Sequence, residues 1–129
     1  HTLKNITENL NPFTLEIKNT GCFPAKERPR VLWMGVEGDT SPLFLLISNI
    51  EKEMEKLGFS KDKNDYSPHI TVARVNYPQK NTPNIEKFLN SSYDPIDFSI
   101  DRMQFFSSEL LPSGSIHTLL QSFPFGEKI

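Results

Sequence analysis

Apolar and polar residues alternate over Phe13-Thr14-Leu15-Glu16-Ile17-Lys18, which predicts a half-buried strand. Asn19-Thr20-Gly21 ends it. Residues 24–30 hold Pro24, Pro29 and the charges Lys26, Glu27, Arg28 and Arg30, so they read as a solvated loop. Val31-Leu32-Trp33-Met34-Gly35-Val36 is apolar on both faces, which predicts a buried strand. The period then changes. Leu43, Leu46, Ile47, Ile50, Met54 and Leu57 share one face at helical spacing, with Glu51, Lys52, Glu53, Glu55 and Lys56 on the rest. Ser41 is the expected cap, Pro42 the first turn and Gly58 the stop.

The remaining elements are shorter. Leu3–Leu10 reads as the tail of a helix ended by Asn11-Pro12. A strand is expected over His69–Val75, with Pro68 at its start. A helix is expected from Pro83 to Asn90, capped by Thr82. Strands over Phe98–Phe106 and Ile116–Phe123 flank a turn at Pro112-Ser113-Gly114. This order predicts an α+β domain with mostly antiparallel sheet and helices packed on the outer face.

Composition narrows the class. The 129 residues suit one domain, 1–129, with one core. Ten Phe, three Tyr and one Trp are too much apolar side chain for a disordered chain. Fourteen Lys and Arg against sixteen Asp and Glu give a net charge of −2, which excludes a molecule-wide basic field for duplex DNA. No apolar run reaches the roughly 18 residues of a membrane span. The single Cys22 excludes an internal disulfide and a Cys-rich zinc site; it reads as a packed thiol in a reducing cytosol, so a cytoplasmic location is expected. No His, Asp and Glu fall at metal-ligand spacing, so no metal or cofactor is expected.

Candidate chemistry concentrates at one histidine. In Pro68-His69-Ile70-Thr71-Val72-Ala73-Arg74, alternation puts His69, Thr71 and Ala73 on one face and Ile70, Val72 and Arg74 on the other. An imidazole beside a hydroxyl suits phosphoryl chemistry. The ring can give or take a proton near neutral pH, and the hydroxyl can donate to a phosphate oxygen. A bare His-x-Thr is also what a satisfied edge-strand histidine looks like.

The same segment resembles the second signature of the 2H phosphoesterases, in the RNA 2′,3′-cyclic phosphodiesterase branch, also called 2′-5′ RNA ligases. Three further segments match in order. They are Gly21-Cys22-Phe23-Pro24 with Pro29-Arg30-Val31-Leu32-Trp33-Met34-Gly35-Val36, the helix ending Leu57-Gly58-Phe59, and Ser107-Ser108-Glu109-Leu110 with Gly114-Ser115-Ile116-His117-Thr118-Leu119-Leu120. The resemblance implies two pseudo-symmetric lobes around a cleft, each giving one His-x-Thr/Ser motif. It implies metal-free hydrolysis in which one histidine takes a proton and the other gives one. His69 would be the second catalytic histidine and Thr71 its phosphate-binding companion. The implied partners are RNA with 2′,3′-cyclic phosphate ends or small cyclic nucleotides.

One departure is serious. The resemblance implies a first His-x-Thr-Leu motif upstream of Gly21, and the sequence has none. The first lobe is therefore expected to be incomplete in this chain, which would be N-terminally truncated and inactive alone. His1-Thr2 has no residue between the two, so alternation opposes their faces; a tag remnant or chain edge is the expected reading. His117-Thr118 lacks the spacer too, and His117 is expected to pack or hydrogen-bond. Arg30, Arg74, Lys26 and Arg28 are expected on the surface; Arg74, turned away from His69 by alternation, would pair with an acidic residue across the sheet, or reach RNA only if its strand bulged. Tyr66 is expected to be partly buried. Two competing readings stand beside the enzyme. One is a non-catalytic RNA-end or nucleotide binder; the other is a protein-interaction domain using Phe123-Pro124-Phe125 as an exposed tail.

Overall fold

The computed structural model describes residues 1–76 and 82–126. The elements are α1 (Thr2–Thr7), β1 (Phe13–Phe23), β2 (Val31–Gly38), α2 (Ser41–Lys56), β3 (His69–Arg74), α3 (Glu86–Leu89), β4 (Ile96–Ile100), β5 (Arg102–Leu111) and β6 (Gly114–Pro124). The class is α+β, with antiparallel pairing of β1 with β2, β2 with β3 and β5 with β6. One sheet has the order β3-β2-β1-β4, and the other is the β5-β6 hairpin. The residues divide into two compact units, 14–40 with 65–98, and 1–13 with 41–64 and 99–129.

The unit holding 14–40 and 65–98 carries the sheet that presents His69. Two bulges shape it. Opposite β2, Lys18 pairs with Gly35 and Thr20 with Met34, so Asn19 is an extra residue in β1. Asn19 takes a positive φ of 67°, which asparagine tolerates better than other side chains with a Cβ. In β3, Thr71 pairs with Trp33 but Ala73 pairs with Leu32, so Val72 is extra. A bulge reverses the phase of alternation beyond it. The expectation that His69, Thr71 and Ala73 share a face is therefore corrected. Ala73 leaves that face, and Arg74, opposite Val31, joins it.

The resulting face holds Phe23, Val31, Trp33, His69, Thr71 and Arg74. The opposite face is tied to α3, where the Thr20 hydroxyl donates to the carbonyls of Phe88 and Leu89. Glycine at 21 is dictated by packing. A Cβ there would run into the indole of Trp33, which lies against the Gly21 backbone. Helix α3 is shorter than the expected 83–90. Its N-cap is Ile85 and not Thr82, and the Asn84 side chain accepts the Glu86 N–H at 3.0 Å in an Asx turn that leads into it.

In the other unit, α1 lies against α2 and β6. Buried Thr7 turns its hydroxyl back onto the carbonyls of Leu3 and Lys4. Leu43, Ile47, Ile50 and Met54 are half-buried around buried Leu46, while Leu57 at the end of the expected stripe is exposed, as are Phe44 and Leu45. The expected strand over 98–106 is interrupted at Asp101. Its carbonyl accepts the Phe125 N–H at 2.8 Å, and its carboxylate accepts from Arg102 at 2.9 Å, which holds Asp101 below the usual carboxylate range. The exposed Phe123-Pro124-Phe125 tail is also corrected. Phe123 and Phe125 are buried, with Phe125 stacked on Phe13 at 6.0 Å between centroids. No helix among the described residues is long and apolar enough to cross a membrane.

Candidate active site

His69 opens β3 directly after Pro68, opposite Gly35 on β2. A Cβ at Gly35 would stand 2.5 Å from the Lys18 carbonyl oxygen, so glycine lets β1 and β2 close up beneath the imidazole. The ring is exposed, but its orientation is fixed from several directions. Phe23 meets it edge-on at 5.0 Å between centroids, and Trp33 lies 6.4 Å away. Phe23 and Trp33 are themselves 5.3 Å apart, so the three rings form one cluster.

The decisive polar contact is made by the backbone. His69 Nδ1 lies 2.6 Å from the Ser67 carbonyl oxygen. A carbonyl can only accept, so Nδ1 carries the proton and donates it. Nε2 is left with the lone pair in the neutral ring and with a proton in the imidazolium. One nitrogen is thus committed to holding the ring and the other is free for proton transfer. Catalytic histidines need this division of labour.

Thr71 follows two residues on, half-buried on the same face. Its hydroxyl belongs to a rigid strand, which suits a donor that must hold an oxygen in place. Arg74 adds a permanent positive charge to that face. It stands about 15 Å along the strand from His69 by strand rise.

The other sequence candidates are placed as follows. His117 pairs across the β5–β6 hairpin with Ser108, and Ser108 Oγ lies 2.9 Å from His117 Nδ1, which is the hydrogen-bonding role expected of it. His1 immediately precedes α1. Cys22 is a half-buried free thiol. Tyr66 is partly exposed, and burial raises the pKa of its phenol. Among the described residues, no group of three His, Cys, Asp or Glu is placed to hold a metal ion.

Sequence reasoning missed the aromatic brace and a second polar cluster. The side-chain amide of Asn19 donates to Glu37 Oε2 at 2.6 Å, and Tyr93 Oη donates to the Asn19 carbonyl at 2.6 Å. Partial burial, and then the Glu37 charge, raise the pKa of the Tyr93 phenol. The only available signal was Gly21 in register with an aromatic residue. That register depends on the Asn19 bulge, which leaves no mark on hydrophobic periodicity.

A family model described as the 2′-5′ RNA ligase superfamily matches residues 1–110. The chain belongs to this superfamily. Curated relatives carry the name RNA 2′,3′-cyclic phosphodiesterase. The Thermotoga maritima protein is 37% identical over 114 residues, covering 88% of this chain and 58% of its own length. The Aquifex aeolicus protein is 30% identical over 128 residues, covering 96% of this chain and 66% of its own. The chain therefore spans less than two thirds of these relatives. Among solved structures, Escherichia coli LigT complexed with 3′-AMP matches with a TM-score of 0.71 at 16% identity, covering 97% of this chain and 67% of LigT. A Thermus thermophilus protein matches with a TM-score of 0.68 at 23% identity, covering 98% of this chain and 67% of its own. At these identities the likeness establishes a shared fold.

Proposed function

We propose that this chain carries half of the acid–base pair of an RNA 2′,3′-cyclic phosphodiesterase, with His69 as the catalytic group and Thr71 as the phosphate-binding hydroxyl. The reading is supported most by the Ser67 carbonyl on His69 Nδ1, which leaves Nε2 as the working nitrogen. It is supported also by the names of relatives that match most of the chain.

The reaction is a displacement at phosphorus. A water oxygen attacks as a base removes its proton, and a new P–O bond forms. The bond from phosphorus to the ribose O3′ breaks, and an acid delivers a proton to O3′. The product is a 2′-phosphomonoester with a free 3′-hydroxyl. His69 Nε2 serves as either base or acid, depending on direction. The Thr71 hydroxyl donates to a phosphate oxygen and stabilises charge that grows in the transition state. Arg74, further along the same face, meets a neighbouring phosphate of an RNA chain and not the reacting one.

The second proton-transfer group is the family's first motif, and the only His-x-Thr in residues 1–129 is His69-Ile70-Thr71. The test therefore uses the full-length protein. It is incubated with an oligonucleotide ending in a 2′,3′-cyclic phosphate, and the product is identified as 2′- or 3′-phosphate. A 2′-phosphate end is expected. Tight binding of the same end with no product would contradict the hydrolytic reading and leave a nucleotide-binding module.

A further inference from the structure

Beside the His69 anchor lies a hollow of about 270 Å³ that the acid–base chemistry does not use. Its wall includes Ser67 and Pro68, the residues leading into His69, and Trp33, which belongs to the aromatic cluster around the imidazole. Glu37 and Lys18 line it as well. The hollow thus combines an aromatic surface, a proline ring, one carboxylate and one ammonium group.

The carboxylate is held in place. Glu37 Oε2 accepts the Asn19 amide at 2.6 Å, and the Asn19 carbonyl is gripped by the Tyr93 hydroxyl at 2.6 Å. Asn19 itself is fixed as the bulge residue of β1 with φ 67°. A carboxylate has about four acceptor sites, so one bond from Asn19 leaves both oxygens able to accept again. A chain of contacts this specific pre-orients an acceptor that has no other partner of opposite charge at hydrogen-bond distance among the described residues. The ammonium of Lys18 suits an anionic ligand, and the aromatic and proline surfaces suit a flat one. Together they describe a nucleotide.

We infer that this hollow is a nucleobase subsite and that Glu37 selects guanine. Guanine offers N1–H and N2–H side by side, and a carboxylate can accept both. Adenine offers one amino edge there, cytosine one amino group, and uracil a single N–H flanked by carbonyl oxygens that a carboxylate repels. The inference rests on the proposed phosphodiesterase reading for the placement of the phosphate near His69.

The test is equilibrium titration of the full-length protein with 3′-GMP, 3′-AMP, 3′-CMP and 3′-UMP, by calorimetry. 3′-GMP is expected to bind about tenfold tighter than 3′-UMP, in line with bidentate base recognition. Glu37→Gln, which keeps the shape and an amide contact to Asn19, is expected to bring 3′-GMP down to the level of the other three. His69→Ala is expected to keep the guanine preference while losing hydrolysis. Equal affinity for all four nucleotides, no nucleotide binding, or a preference unchanged in Glu37→Gln would overturn the inference. A guanine preference in a protein with no cyclic phosphodiesterase activity would support the subsite and remove the hydrolytic reading instead. Thermal melting of Glu37→Gln confirms that any loss comes from a folded protein.

Discussion

His69 Nδ1 donates to the Ser67 carbonyl oxygen at 2.6 Å, and this bond decides which nitrogen of the ring can act. The acceptor is backbone, so no side-chain substitution removes it, and the neutral ring has one favoured tautomer. Long-range ¹H–¹⁵N correlation spectra should show His69 with a protonated Nδ1 and a bare Nε2 in the neutral form. A neutral ring protonated at Nε2 would contradict the assignment.

The Val72 bulge carries its own prediction. It places Arg74 on the His69 face but far along it, so Arg74 should matter for a chain and not for a mononucleotide. Arg74→Ala should weaken binding of a cyclic-phosphate oligonucleotide by roughly tenfold to a hundredfold, consistent with losing one charge-assisted contact. The salt slope of binding should fall by about 0.7, the value for one phosphate contact on a single strand. Hydrolysis of a 2′,3′-cyclic mononucleotide should stay within about twofold of wild type. An equal loss on both substrates would place Arg74 at the reacting phosphate.

Gly21 tests the brace around the imidazole. A methyl group at this position collides with the Trp33 ring, so Gly21→Ala must displace the indole. Overpacking of this kind costs about 1–3 kcal/mol. A lowered Tm and a changed Trp33 fluorescence spectrum are expected, with reduced hydrolysis because Trp33 and Phe23 frame His69. An unchanged Tm would mean that the indole has room to move.

Tyr93 gives the pH dependence. Its phenol is raised by partial burial and then by the Glu37 charge. The folded state therefore keeps a proton that the unfolded state releases above about pH 10. The stabilisation is fully present below the ordinary tyrosine value and is lost as pH rises through the raised folded one. Denaturant titrations should show stability falling over that window, and less steeply in Tyr93→Phe. Among the described residues, Tyr66, raised by burial, contributes to the slope that remains. Identical slopes in the variant and wild type would contradict the Tyr93 assignment.

These residues show what the sequence made legible. The bounds of helix α2 and of strands β2 and β3 lie close to those read from the sequence, although the alternation of β3 holds only as far as the Val72 bulge. His69 and Thr71 were visible because period 2 holds between them. Arg74 was misplaced because the extra residue, Val72, is defined only by its partner strand. The same holds for Asn19. The break at Asp101 is marked in the sequence only by the polar pair Asp101-Arg102, which shifts the alternation by one residue; its cause, a carbonyl bonded to Phe125 twenty-four residues away, leaves no local sign. Glu37 drew no notice, since a strand-end glutamate resembles any solvated charge until Asn19 and Tyr93 are seen around it.

The most direct measurement is the single-turnover rate of 2′,3′-cyclic phosphate opening by the full-length protein and its His69→Ala and Thr71→Ala variants. The account predicts a loss of about 10²–10⁴-fold for His69→Ala, the range for an acid–base group. It predicts about 10²–10³-fold for Thr71→Ala, the range for one oxyanion donor. Opening by His69→Ala at the wild-type rate would contradict it.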